Sequence, residues 1–481
     1  MVASVDALST TSTESETDRL ARSEVTHGTT CAAEFHVRTI AVMRGEPGTP
    51  NAIGGRHPVA SRPPLGSFLL PMPADRHLTR HVAVFSTAHA LGIIAPLLTT
   101  PYLARILGPE GWAPVLLAQG IAALIALLLE FGFDLSGTRD LAMTHDREAR
   151  ARLIGDIHAA RLLLIPVAAI IILAIARLVP LIGAHPTLVL WTFAAAVTRG
   201  CSPVWIFQGA GIPEGAVLID AAGKLGGALA VFAVVHASSD GWRVLALQSA
   251  GAAIPLLLLG WRAYRLFAPA PLTIVGARRA LARGWAVFSF RGASAVYMQA
   301  NILIVGALGS PTAVTMFGGA ERVIRAGINL FTPITQALFP RVARAVPIGA
   351  EASRRVLIEV TWMLGGIGLA ITLITLLAAG PIIHLLFGPG YEAAIPLLRG
   401  LSLLPTLIAI GTVLGIHWAI PLGQERFFLR SVLIAGAISL TCAGLLIPRV
   451  GAWGMVIGAT AAELWVAGAL LHRVRHHGGG R

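Results

Sequence analysis

The chain has 481 residues, of which 55% are hydrophobic and 13% charged, and its mean hydropathy is +0.74. Soluble domains carry about 25% charged residues, so this composition excludes an ordinary soluble enzyme or binding module and implies a multi-pass membrane protein. The formal charge of +13 does not call for a nucleic-acid partner, because membrane proteins concentrate Lys and Arg in their cytoplasmic links.

Residues 1–77 are rich in Ser, Thr, Pro and Gly and hold no apolar run long enough to span a bilayer. They bury too little apolar surface to offset ordering entropy, so a disordered tail is expected; translation starting at Met43 or Met72 is the alternative. No apolar central region of a signal peptide is present. Cys31, Cys201 and Cys442 have no paired spacing, which suggests neither a disulfide framework nor a metal site.

From His81 onward, apolar segments follow one another at about the 20 residues needed to cross roughly 30 Å of hydrocarbon. Twelve are predicted, at 81–103, 112–134, 157–180, 187–208, 215–236, 242–263, 286–308, 314–338, 357–379, 396–420, 427–447 and 451–472. Breakers such as Gly108-Pro109, His185-Pro186, Gly309-Ser310-Pro311 and Gly388-Pro389-Gly390 separate them. With the N-terminus inside, arginines crowd the links assigned to the cytoplasm (Arg139, Arg147, Arg150, Arg152, Arg278, Arg279 and Arg283 among them) and thin out on the other side, so both termini are expected in the cytoplasm. Trp112, Trp205, Trp242, Trp261, Trp285, Trp418 and Trp453 lie near predicted span ends and read as an interfacial belt.

The long link 264–285 divides the chain into a six-helix half at 78–263 and another at 286–472, followed by a short cytoplasmic tail, 473–481. Its Arg278-Arg279-Ala280-Leu281-Ala282-Arg283 reads as a short basic helix lying on anionic headgroups. Leu107-Gly108-Pro109 and Leu308-Gly309-Ser310-Pro311 leave the first span of each half, an internal echo of the kind that repeat-built transporters show.

The run PYLARILGPEGW, then AQGI, then GFDLSGTRDLA, between Pro101 and Ala142, resembles the N-terminal signature of bacterial polysaccharide-transport flippases. These are the O-antigen and exopolysaccharide exporters of the multidrug/oligosaccharidyl-lipid/polysaccharide superfamily. PVWIFQGAGIPEG at 203–215, LFTPITQALFPRVAR at 330–344 and FGPGYEAAIPLLRGLSLLP at 387–405 resemble the same family. The resemblance covers nearly all of 81–472 and implies an all-α fold of about twelve transmembrane helices, two six-helix bundles around a central cationic cavity. Pro114 departs from the pattern and leaves the start of the second span open.

Charges inside spans are expensive and mark candidate sites. Lys224, the chain's only lysine, lies about nine residues into the fifth span, roughly 14 Å deep at 1.5 Å per residue. Asp220 is one turn away, so Lys224 either lines a cavity or pairs with Asp220. Arg199 in the fourth span and Arg291 in the seventh also interrupt apolar sequence, with Asn301 on the polar face of the seventh. In the eighth, Glu321 and Arg325 are spaced to pair, which leaves Arg322 uncompensated within that helix. For each arginine, a structural ion pair or snorkelling competes with ligand binding. His89 reads as a hydrogen-bonded core histidine, and Glu359 and Glu463 are the candidates for a proton-coupled cycle.

A cationic interior suits an anionic ligand, because arginine forks match phosphate oxygens. The resemblance implies that the ligand is a polyprenyl-diphosphate-linked oligosaccharide, flipped from the cytoplasmic to the outer leaflet of the bacterial inner membrane, with a polysaccharide polymerase as a candidate partner and no cofactor. No GxxxxGK[ST] loop is present to power the step with ATP. A multidrug or cation antiporter of the same superfamily is the first alternative, but it would favour acids in the first span, which has none. A membrane-embedded polymerase, ligase or glycosyltransferase is the second, and it would need a sizeable outer loop carrying acid/base groups, whereas the longest outer link is about 380–395.

Overall fold

A computed structural model describes residues 76–345 and 349–478, so the tail expected to be disordered lies, up to residue 75, outside the described residues. Among the described residues the regular elements are all helical. In chain order they are α1 Arg76–Glu130, α2 Phe133–Met143, α3 Arg147–Leu178, α4 Pro180–Gly183, α5 Pro186–Gly200, α6 Val204–Gly209, α7 Pro213–Val234 and α8 Gly241–Phe267. There follow α9 Ile274–Gln299, α10 Asn301–Leu308, α11 Pro311–Ile328, α12 Phe331–Ala345, α13 Ala350–Leu377, α14 Ala379–Phe387, α15 Ala394–Leu401, α16 Leu404–Thr412, α17 Glu425–Val450 and α18 Trp453–Gly478.

The 55-residue α1 is two helices joined at Gly108, whose φ of 66° and ψ of 175° lie outside the helical region. Glycine reaches that conformation without a Cβ clash, and Pro109, which has no amide hydrogen to lose, starts the second arm. Pro114 therefore lies inside the second arm rather than at its start. Elsewhere the local signals act as caps: the Asp146 carboxylate accepts from Ala149 N at 2.8 Å to start α3, and Ser310 Oγ accepts from Ala313 N at 3.1 Å, ahead of Pro311, to start α11.

Helix occupies each of the twelve predicted segments, but not always without interruption. The fourth breaks at 201–203 between α5 and α6, where Pro203 has no amide to donate; the seventh breaks at Ala300, the eighth at 329–330, and the tenth at 402–403, after which α16 runs on as a π-helix over Val413–Ala419. Eight helical stretches among the described residues are long and apolar enough to cross a membrane by length and composition. One of them, Leu98–Met143, covers the second segment and the last six residues of the first, and the third, fifth, sixth and ninth to twelfth segments supply one each.

Two expectations are corrected. The link 264–285 is mostly helix: α9 begins at Ile274, so Arg278, Arg279 and Arg283 occupy the first turns of the seventh segment's helix, and only 268–273 connects it to α8. Packing shapes it, because Ala277 and Ala280 are buried on a helix that runs along α3, while Arg278, Arg279 and Arg283 stay exposed. Trp112 and Trp205 are fully buried and do not belong to an interfacial belt, whereas Trp242, Trp261, Trp285 and Trp453 are exposed as that belt requires.

The second arm of α1 is the structural centre. Of the most apolar window in its stretch 67% is buried, against 22–50% in the other seven stretches. First-half helices pack on one another, α7 on α8 and α5 on α1 and α8, as second-half helices do, α17 on α18 and α13 on α16. The halves meet where α1 touches α10 and α11, and where α3 lies along α9.

Candidate functional site

Three turns into α11, Glu321, Arg322 and Arg325 come together on a helix that packs against α1. Arg325 Nη2 reaches Glu321 Oε1 at 2.7 Å, one helical turn away, and Asn301 Nδ2 at the start of α10 donates to the same oxygen at 3.0 Å. Arg322 points elsewhere. Its Nη1 donates to Thr100 Oγ1 on the first arm of α1 at 2.9 Å, its Nη2 donates to Gln119 Oε1 on the second arm, and its guanidinium lies 5.4 Å from the centre of the Trp112 ring. Gln119 Nε2 continues the chain of hydrogen bonds to Gln248 Oε1 on α8 at 3.2 Å. This polar network therefore bridges the two halves. Among the described residues, every hydrogen-bond partner of the Arg322 guanidinium is neutral.

Of the residues singled out in the sequence, Asn301, Glu321, Arg322 and Arg325 are thus brought together. Lys224 stands apart: its Nζ is 2.6 Å from Asp220 Oδ2 on the same helix, with its side chain half exposed. Arg199 is exposed on α5. Glu359 accepts from Arg341 Nη1 and Nη2 at 3.1 and 3.2 Å, a bidentate pair open to solvent on both sides. The side chains of His89 and Arg291 lie outside the described residues.

Several partners went unmarked in the sequence because they are neutral. Thr100, Gln119 and Gln248 carry no charge to flag them, although an isolated amide in an apolar span is itself a signal. Arg161 is a missed charge. It is buried on α3 and donates from Nη1 to the carbonyls of Cys201 and Ser202 at 3.1 and 3.2 Å, which satisfies acceptors freed where the helix breaks before Pro203.

A family model described as polysaccharide biosynthesis protein matches residues 78–346. The chain belongs to this family. A protein of Escherichia coli (strain K12) named "Putative O-antigen transporter" is 28% identical over 409 residues, covering 83% of this chain and 97% of that one. A Shigella dysenteriae protein of the same name is 25% identical, covering 83% and 100%. In fold, the chain is similar to an inward-facing multidrug resistance MATE family transporter of the MOP superfamily, with TM-score 0.61 and 17% identity over 81% of this chain and 94% of that one. It is equally similar to the lipid II flippase MurJ in an inward closed conformation, with TM-score 0.61 and 12% identity over 82% and 87%. The transporter fold read from the sequence is thereby shown.

In this polysaccharide biosynthesis protein the halves also meet at both ends of the helices. At the Gly108 end, Trp112, Phe387 and Tyr391 form one buried aromatic cluster with ring centres 5.4–6.0 Å apart. Tyr391 Oη donates to Ala104 O at 2.8 Å, Thr315 Oγ1 to Pro109 O at 2.6 Å, and Arg105 Nη2 to Leu385 O. Just beyond, Glu392 accepts from Gly390 N at 3.1 Å; its own backbone amide and that of Gly390 hold its carboxyl below the usual carboxylate range.

At the opposite end, Asp156 on α3 faces two arginines of α9, Arg279 at 3.2 Å and Arg283 at 3.1 Å. Phe131 stacks on Phe288 beside them, with ring centres 4.3 Å apart. An open pocket of about 410 Å³ lies against the ion pairs, lined among others by Asp140, Thr144 and Arg152.

Proposed function

We infer that this protein moves a polyprenyl-diphosphate-linked oligosaccharide from the cytoplasmic to the outer leaflet by alternating access, and that it catalyses no reaction itself. The observation that carries this reading is Arg322. Among the described residues its hydrogen-bond partners are neutral, and the neighbouring Glu321 carboxylate is already shared by Arg325 and Asn301, so a diphosphate would supply this buried guanidinium with a countercharge of its own. The names of the full-length relatives favour the same substrate class. A cation exporter would instead present a free carboxylate, but here Glu321 is held by Arg325 and Asn301.

In this reading the membrane is the bacterial cytoplasmic membrane, with both termini and the Asp156 end on the cytoplasmic side, and a polysaccharide polymerase receives the product. Arg325, Asn301, Arg199, Arg291 and Lys224 are the further groups assigned to the anionic path, and Glu359 and His89 the groups assigned to coupling. Reporters fused within 268–273 and at Gly390 should score inside and outside, respectively. The same side for both would overturn the topology.

The decisive test is glycan export in cells that lack their own flippase. Arg322→Ala should reduce surface polysaccharide to background at normal protein level, and Arg322→Lys should restore part of it, since charge is kept but the fork is lost. Full export by Arg322→Ala would reject the reading. For Lys224, export lost in Lys224→Ala but regained in Lys224→Ala with Asp220→Ala would show that the lysine only neutralises Asp220, and would remove it from the path.

A further inference from the structure

We propose that Asp156, Arg279 and Arg283 form an anion-exchange latch, in which the arriving diphosphate takes the place of Asp156 on the two arginines and so releases α3 from α9. The proposal rests on the reading that the substrate carries a diphosphate. It adds a first contact, far along the helices from Arg322, and gives that contact a mechanical consequence.

Four observations carry it. The charges are unequal, because one carboxylate serves two guanidinium groups, one on each oxygen. The carboxylate is nearly buried, with 11% of its side chain exposed, whereas Arg279 and Arg283 are 58% and 44% exposed, so a second anion can reach the arginines without first displacing protein. The approach is close: a Cβ at Gly276 would stand 2.2 Å from Asp156 Oδ1, so a larger residue there would have to push that carboxylate aside. Beside the pair lies the pocket of about 410 Å³, lined also by the Thr144 hydroxyl, by Arg152, which pairs with Glu148 at 3.6 Å and Asp146 at 3.9 Å, and by Asp140, whose carboxylate is held by Arg139 at 2.7 Å. The pocket is the size of a small-ligand site, which spans about 300–1,000 Å³.

The residues sit where the exchange has an effect. Asp156 belongs to the first half and the arginines to the second, and α3 lies along α9 at this end. A diphosphate offers two charged groups to two arginine forks, a better match than one carboxylate shared between them. Binding at the pocket and parting of the halves are then one event, as alternating access requires of the side that receives the substrate.

The test uses the full chain in phosphatidylcholine nanodiscs, with inorganic diphosphate and farnesyl diphosphate as probes in isothermal titration calorimetry. Asp156→Asn removes the internal competitor and should tighten both probes about tenfold, equivalent to about 1.4 kcal/mol. Arg283→Gln, which leaves the Arg279 pair in place and is the milder change, should weaken both several-fold. Unchanged or weaker binding in Asp156→Asn, or unchanged binding in Arg283→Gln, overturns the latch. So does tightening that phosphatidylglycerol alone abolishes, since the arginines would then be lipid contacts. Hydrogen exchange of the α3 and α9 amides in the unmodified chain supplies the mechanical half: inorganic diphosphate should speed it where the two helices lie along one another. Exchange left unchanged in the diphosphate-bound protein shows a permanent strut and overturns the proposal. Diphosphate exchange seen in a protein that exports no glycan would leave the latch standing and overturn only the reading of its substrate.

Discussion

The two ends at which the halves meet are closed by different physics. At the Gly108 end, Trp112, Phe387 and Tyr391 are buried together, and the hydrogen bonds that accompany them, from Tyr391 to Ala104 O and from Thr315 to Pro109 O, run to backbone carbonyls. At the other end the contact is ionic, and the arginines of Asp156 are open to water. A dry aromatic contact is strong and indifferent to salt; a wet ion pair is weak, screened, and exchangeable with any competing anion. Resistance to opening is therefore concentrated at one end and readiness to open at the other.

Mutations should separate the ends by magnitude. The largest effect is expected for Trp112→Ala, which empties a fully buried site under Arg322 and against Phe387. It should cost about 3–5 kcal/mol, read as a lower unfolding temperature of the detergent-purified protein. A loss below about 1 kcal/mol would mean that the aromatic contact does not hold that end. Next comes Gly276→Val, whose added carbons meet Asp156 Oδ1; a cost of about 1–3 kcal/mol is expected from overpacking, with faster proteolysis between α8 and α9 as the local sign. Tyr391→Phe removes one buried hydrogen bond to Ala104 O and should cost about 1 kcal/mol, independent of salt. The smallest effect belongs to Asp156→Asn: within about 1 kcal/mol, and shrinking further as salt is raised from low to physiological concentration. A large, salt-independent loss there would erase the contrast between the ends.

Much of the fold was legible because hydrophobicity and breakers are local. The segment from Thr99 to Ala142 shows this: Gly108-Pro109 gave the break between the two arms of α1, and the structure places it there. Interruptions inside spans were harder: Ala300 carries no breaker, and the break at Asn329-Leu330 is marked only by Pro333, which lacks the amide that would bond to Asn329 O. The 264–285 link shows the same limit. Three arginines in six residues look like a surface helix, but Ala277 and Ala280 make the opposite face a packing face against α3. For the site, charge was an effective guide to Glu321, Arg322 and Arg325 and to the Asp220–Lys224 pair, because spacing along one helix is visible in sequence. Thr100, Gln119 and Gln248 were not visible, since what makes them matter is contact with Arg322 across 222, 203 and, through Gln119, 129 residues of chain.

The Asp220–Lys224 pair has a practical consequence in reaction chemistry. Because all other basic residues except histidine are arginine, Lys224 Nζ is the one side-chain primary amine in the whole chain, and it is half exposed, 2.6 Å from its carboxylate. An acylating reagent therefore labels a single internal position without any engineered cysteine, and the mass of one peptide reports its extent. The rate of that acylation, compared with and without glycan carrier, tests whether the amine is covered during transport, and an unchanged rate would place Lys224 off the path.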